Sequence, residues 1–229
     1  MHRASPAQSI LIDFGGTLDA DGEPWSLRFH RAYTDLGGRL EFSSFEPVFQ
    51  KADRAVLNSR GIRTAGFRQM VQSQAEVLLR LLGEGPALDA GAIAETFRSR
   101  AVATVERNRP VLERLRAQYR LGIVSNFTGN LEPCLEELGI RHLFGAVVDS
   151  AVLGAAKPDP RPFVEALQLL ETHPDQAWMV GDNFESDITP ALSLGMRACW
   201  LRSRSRHARE GHPPCTQIGS FLELEAVIG

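Results

Sequence analysis

The stretch Ser9-Ile10-Leu11-Ile12-Asp13-Phe14-Gly15-Gly16-Thr17-Leu18 decides how the rest of the chain is read. A short apolar run closed by an aspartate has the form of a strand buried on both faces, as parallel strands are. The two adjacent glycines that follow imply a tight turn. What comes next is not a second strand. Trp25, Phe29, Ala32, Tyr33 and Leu36 recur at helical spacing and stop at Gly37-Gly38. Ser43 and Glu46 have the spacing of a capping box, and Phe45, Phe49, Ala52 and Val56 line one face up to Gly61. A third stripe holds Phe67, Met70, Val71, Leu78 and Leu82, and a fourth holds Ile93, Phe97, Ala101 and Val105. Four successive amphipathic helices predict a small bundle.

Beyond about Asn108 the pattern changes to alternation. Helices are expected over 111–119, 131–138, 163–170 and 188–194, and strands over 121–125, 146–149, 178–180 and 198–201. Strands alternating with helices mean a parallel sheet covered on both faces. The expected fold is therefore α/β, a doubly wound parallel sheet interrupted after its first strand by an inserted α-helical bundle. The core is assigned to residues 1–19 and 107–229 and the helical domain to 20–106. In such sheets chemistry gathers at the carboxyl ends of the strands. Asp13, Ser125, Lys157 and Asp182 all fall there. Any one of them has a plain explanation, as a helix cap or a solvated charge. Together they converge two carboxylates and a cation on one place.

Four motifs in this order resemble the haloacid dehalogenase superfamily: Ile10-Leu11-Ile12-Asp13-Phe14-Gly15-Gly16-Thr17-Leu18, Ile123-Val124-Ser125-Asn126, Lys157-Pro158-Asp159-Pro160, and Val180-Gly181-Asp182-Asn183-Phe184-Glu185-Ser186-Asp187-Ile188. The resemblance spans the whole chain, helical insert included. It implies that Asp13 attacks phosphorus and forms an aspartyl-phosphate, dividing one difficult displacement into two. It implies Mg²⁺ held by Asp13, Asp182 and the carbonyl of Gly15, since a hard cation takes oxygen ligands. Ser125 would bind a phosphoryl oxygen and Lys157 would neutralise charge. Thr17, Asn126 and Asp187 would support the site, with a helix-capping role for Asp187 equally open. The helical domain would act as a cap that closes over the site.

The sequence also departs from the family. Its phosphatases carry a second aspartate two residues after the nucleophile, which protonates the leaving oxygen; here that position is Gly15. General acid–base help is worth about 10² to 10⁴ in rate, and no general acid/base residue is assigned. Asp19 and Asp21 lie near in sequence, but a turn into the insert suits them better. The favoured function is a Mg²⁺-dependent phosphatase of a small phosphorylated metabolite, slow on alkyl phosphates. The alternatives are a weak or silent binding protein, and a C–P or C–halogen hydrolase. The C–P version would need Lys51, the sole lysine of the insert, as a Schiff-base former, and an exposed lysine suits that helix better.

Composition narrows the partners. A net charge of −3 does not suggest nucleic acid or a membrane surface. The Arg-rich run Arg202, Arg204, Arg206, His207 and Arg209 reads as a solvated loop. Cys134, Cys199 and Cys215 have no metal or redox spacing, so a reduced, cytoplasmic protein is expected. It would be a monomer or homodimer acting on a small molecule.

Overall fold

The structure is a computed structural model that describes residues 7–84, 87–202 and 215–228. Its elements in chain order are β1 (Ser9–Ile12), α1 (Trp25–Asp35), α2 (Phe42–Val56), α3 (Phe67–Leu82), α4 (Ala90–Arg116), β2 (Arg120–Ser125), α5 (Leu131–Glu137), β3 (Ala146–Asp149), α6 (Ser150–Leu153), α7 (Arg161–Leu169), β4 (Ala177–Gly181), α8 (Thr189–Ser193), β5 (Arg197–Leu201), β6 (Thr216–Ile218) and α9 (Leu224–Ile228). The strands form one sheet in the order β3-β2-β1-β4-β5-β6, and every pairing is parallel.

Alternation along the strands explains why both faces are apolar. Ile10 and Ile12 of β1, Leu121 and Ile123 of β2, and Val180 of β4 join one large core that also takes in α1–α5. Leu11, Val124 and Met179 point to the other face and join a second core with Phe163, Ala166 and Leu167 of α7 and Ala191 of α8. A period of two thus divides each continuous apolar run between two helical layers. On that second face a side chain on Gly122 would come within 2.9 Å of Leu11 Cδ2 and 3.1 Å of Leu170 Cδ1, so the strand carries glycine where its neighbours fill the space.

All of α1–α4 lies between β1 and β2 in sequence. An aromatic cluster holds these helices together. Phe29 stacks on Phe97 at 4.2 Å, and Trp25 meets Phe97 at 5.1 Å and Phe127, from the core, at 5.9 Å.

Two local readings of the sequence are corrected, and one strand is added. The two helices expected on either side of Asn108 are one helix, α4. Its buried stripe of Ala101, Val105, Asn108, Leu112 and Leu115 continues in steps of four and three through Pro110. Asn108 also stays in register because its amide donates to the Leu18 carbonyl at 2.9 Å. The capping box does not form: α2 starts at Phe42 without a side-chain cap, and Glu46 instead accepts a 3.4 Å bond from the Ser26 hydroxyl. The edge strand β6 was not foreseen, because three residues with one apolar side chain between them carry no periodicity. The run Arg204, Arg206, His207 and Arg209 lies outside the described residues.

Phe29 is fully buried, so Phe29→Ala should cost about 3–5 kcal/mol. Urea unfolding would check this, and a loss below about 1 kcal/mol would mean that the aromatic cluster does not carry the insert.

Candidate functional site

Strand register brings the motif residues together. Ile12 pairs with Ile123 on one side and Val180 on the other, so the residues that follow on all three strands emerge at the same end of the sheet. The loop from Phe14 to Leu18 then winds tightly, with Gly15 at φ −76°, ψ 111° and Gly16 at φ 97°, ψ −24°. Gly16 is required twice over. Its φ is left-handed, and a Cβ there would fall 2.7 Å from Asp182 Oδ1.

Lys157 is the centre of the site. Its ammonium is buried and donates to Asp13 Oδ1 at 2.8 Å, Asp187 Oδ1 at 2.6 Å and the Val124 carbonyl at 2.8 Å. Three donors meet three acceptors. Burial alone would lower its pKa, but the charges of Asp13 and Asp187 outweigh that and hold it above the usual lysine value. Ser125 Oγ donates to the same Asp13 oxygen at 2.9 Å. The Thr17 hydroxyl lies 3.2 Å from Asp13 Oδ2 and 3.1 Å from Asp182 Oδ1, and with one proton it can donate to only one at a time.

Asn126 and Asp187 stand behind this group. The Asn126 amide clamps the lysine loop in both directions, donating to the Lys157 carbonyl at 2.9 Å and accepting from the Lys157 N–H at 2.8 Å. Asp187 does not cap a helix through its side chain. One of its oxygens takes the lysine and the other accepts from the Asn183 N–H at 3.0 Å. Asn183 shapes its own turn by accepting from the Glu185 and Ser186 N–H groups.

Negative charge exceeds positive here. Burial and then the charges of Asp13 and Asp187 push Asp182 well above the ordinary carboxylate range. Burial likewise raises Asp187, to about 6, even with Lys157 pulling it down. Oxygens of Asp13, Asp182 and Asp187 lie within 4.8 Å of one another. Asp182 Oδ2 has no hydrogen-bond donor among the described residues, although Asp182 is only 8% exposed. An all-oxygen set with surplus negative charge suits a hard divalent cation. Gly15, expected to offer its carbonyl, lines the same cavity.

That cavity has a volume of about 540 Å³. The core contributes Asp13, Ser125, Lys157, Asp182 and Asp187, and the insert contributes Trp25, Glu46, Phe49, Asp53, Leu57 and Met70. A larger groove of about 760 Å³, at Glu76, Arg80 and Leu88, holds none of the motif residues. Lys51 is exposed on α2 and is not part of the cavity wall.

The position of the absent second carboxylate is occupied by something sequence reasoning missed. A Cβ on Gly15 would come 3.3 Å from Trp25 Nε1 and 3.5 Å from its Cε2. The Trp25 indole is held there by donating to Asp19 Oδ2 at 2.8 Å. Asp19 is fully buried, and it also accepts from Arg28 and from the Gly16 N–H, each at 2.8 Å. Asp21 accepts from Arg107 at 2.6 Å and from the Phe221 N–H at 3.1 Å. Both carboxylates are thus committed to structure and neither lines the cavity. The signal for Trp25 was its helical periodicity, which shows burial but not which neighbour it meets.

Comparison with known proteins agrees with this fold. The family model for haloacid dehalogenase-like hydrolases matches residues 8–195. The pyrimidine 5'-nucleotidase YjjG of Escherichia coli is 35% identical over 121 residues, 52% of this chain and 53% of that protein. The glyceraldehyde 3-phosphate phosphatase of Methanothermobacter thermautotrophicus is 40% identical over 95 residues, 41% and 42% of the two chains. The chain therefore matches about half or less of these relatives' length. Among solved structures, the HAD-hydrolase YfnB of Bacillus subtilis, bound to magnesium, aligns with 98% of this chain and 99% of its own at a TM-score of 0.60 and 17% identity. A dehalogenase aligns over 96% of both chains at 0.66 and 19%. At these identities the likeness shows the fold alone.

The charge imbalance predicts opposite effects for two neutralising substitutions. Asp182→Asn should raise the thermal midpoint of the metal-free protein by roughly 2–4 °C for each kcal/mol of repulsion relieved. The gain should be larger near about pH 7 than near about pH 4, because the folded state holds protons that the unfolded chain has already released. Lys157→Met should cost about 3–5 kcal/mol, since it leaves Asp13 and Asp187 buried without their cation. Calorimetric scans of the three proteins would check both, and a destabilising Asp182→Asn would refute the imbalance.

Proposed function

The chain belongs to the haloacid dehalogenase-like hydrolases, and within that family we propose that it is a phosphatase of a small phosphorylated metabolite, using Asp13 as nucleophile and Mg²⁺ as cofactor. One observation carries this reading. Asp13, Asp182 and Asp187 converge with Lys157 and Ser125 at the carboxyl ends of β1, β2 and β4.

Mg²⁺, held by Asp13, Asp182 and the Gly15 carbonyl, would offset repulsion between an anionic phosphoryl group and an anionic nucleophile. Lys157 and Ser125 hold Asp13 through Oδ1. They fix its orientation, and they are placed to bind phosphoryl oxygens as charge leaves the carboxylate. A carboxylate oxygen of Asp13 forms the new bond to phosphorus, the ester oxygen departs with the electron pair, and water then cleaves the aspartyl-phosphate. Asp187 positions Lys157, and Asn126 fixes the loop that carries it. In this reading residues 20–106 are the cap and 1–19 with 107–229 the core. We place the protein in the cytoplasm, where three free cysteines are at ease. No helix among the described residues is long and apolar enough to cross a membrane.

No residue of the first motif can protonate the leaving oxygen, so leaving groups that need no proton are favoured. Aryl and acyl phosphates are of that kind. The Trp25 ring against Gly15 also keeps a second reading in view, a protein that binds phosphorylated ligands and turns them over slowly or not at all. The C–P reading finds no amine from Lys51 in the cavity wall.

With Mg²⁺, the protein should hydrolyse an aryl phosphate, and Asp13→Asn should abolish this. Gly15→Asp alone should gain little on alkyl phosphates, because Trp25 stands 3.3 Å from the new Cβ. Gly15→Asp combined with Trp25→Phe should gain up to about 10²–10⁴. If the wild type is inert on both ester classes and the double variant stays inert, the binding-protein reading replaces the phosphatase.

A further inference from the structure

On α2 the cavity wall carries one stripe, Glu46, Phe49 and Asp53, continued by Leu57 just past the helix, at steps of three and four, beside Pro24, Trp25 and Met70 from the rest of the insert. The two carboxylates are seven residues apart, about 10 Å along the helix axis. Among the described residues neither is ion-paired. Asp53 has no hydrogen-bond partner among the described residues, and burial raises its pKa against only the charge of its neighbour Arg54. Glu46 has one long contact, from the Ser26 hydroxyl at 3.4 Å. Among the described residues Lys157 is the one basic side chain of the cavity wall, and all three of its protons already have acceptors. Asp182 Oδ2, which accepts no hydrogen bond among the described residues, lies on the core side of the same cavity.

Ionised carboxylates only accept hydrogen bonds. A substrate whose phosphoryl group rests at Asp13 must therefore present something else to α2. A second phosphate or a carboxylate would meet like charge in a partly desolvated pocket. An ammonium, amine or hydroxyl would supply the missing donor, while Phe49, between the two acids, and Leu57, one turn beyond Asp53, take an aliphatic body. We propose that Glu46 and Asp53 select the substrate, admitting small monophosphates whose remote end is cationic or rich in hydrogen-bond donors and rejecting those that carry a second anionic group. This rests on the phosphatase reading for the place of the phosphoryl group. It assigns to two acids of the insert the part of specificity that the motif residues cannot set.

Binding tests it without turnover. The full chain with Mg²⁺ is titrated calorimetrically with three phosphonates of matched size, 2-aminoethylphosphonate, propylphosphonate and phosphonoacetate. The expected order places the amine roughly tenfold or more ahead of the carboxylate. The Asp53→Asn/Glu46→Gln variant should bring that ratio to within about threefold while binding propylphosphonate as the wild type does, which also shows that it is folded. Asp53→Asn alone should move the ratio the same way by a smaller factor. Equal or tighter binding of phosphonoacetate, a ratio unchanged in the variants, or no binding of any of the three overturns the proposal. Aryl phosphate hydrolysis by the same preparation separates the two claims. Hydrolysis without the expected ranking removes this inference alone. Ranking without hydrolysis keeps it and removes the phosphatase reading.

Discussion

A single ammonium, that of Lys157, holds two buried carboxylates from different strands and the end of a third element at once. Asp13 closes β1, Val124 belongs to β2, and Asp187 follows β4. Those strands are neighbours in the sheet, and their carboxyl ends would repel one another without a cation between them. Burial of a charge is tolerated only when it is paired and hydrogen-bonded. Here the pairing is complete for the lysine and incomplete for the acids, since among the described residues Asp182 keeps an oxygen with no donor. The acids are thus short of one positive charge, and their all-oxygen set suits a hard cation.

The second constraint is the one that Gly15 imposes. A glycine could mean an empty space beside Asp13, and it does not. Trp25 fills that space, anchored by its N–H on Asp19, which is itself neutralised by Arg28. One substitution in the first motif is therefore matched by a tryptophan on the first helix of the insert and by a buried ion pair behind it. The aromatic cluster that stabilises the insert and the packing that closes the acid's position share this side chain.

Much of this was legible in the sequence. Asp13, Ser125 and Asp182 could be placed because each ends or follows an apolar run of the length of a buried strand, and Lys157 because it falls in the third motif. The four helices of the insert followed from their stripes. What could not be read depended on contacts between distant segments. The stripe of α4 passes through Pro110 because Asn108 finds the Leu18 carbonyl, and nothing local announces that bond. Glu46 has capping spacing but turns to the cavity, because periodicity locates a residue on a helix without saying which element faces it. The role of Asp187 was ambiguous for the same reason: only the position of Lys157, thirty residues earlier, resolves it. The strand β6 is too short to carry a pattern of its own.

The unbroken α4 has a structural consequence. At 1.5 Å per residue its 27 residues make a rod of roughly 40 Å. Its first half packs within the insert, Asn108, about two-thirds of the way along, pins it to the loop after Asp13, and near its end Arg114 grips Glu225 of α9 at 2.6 Å. One continuous helix thus joins the insert, the loop after Asp13 and the carboxyl-terminal helix, so the three share a single backbone element.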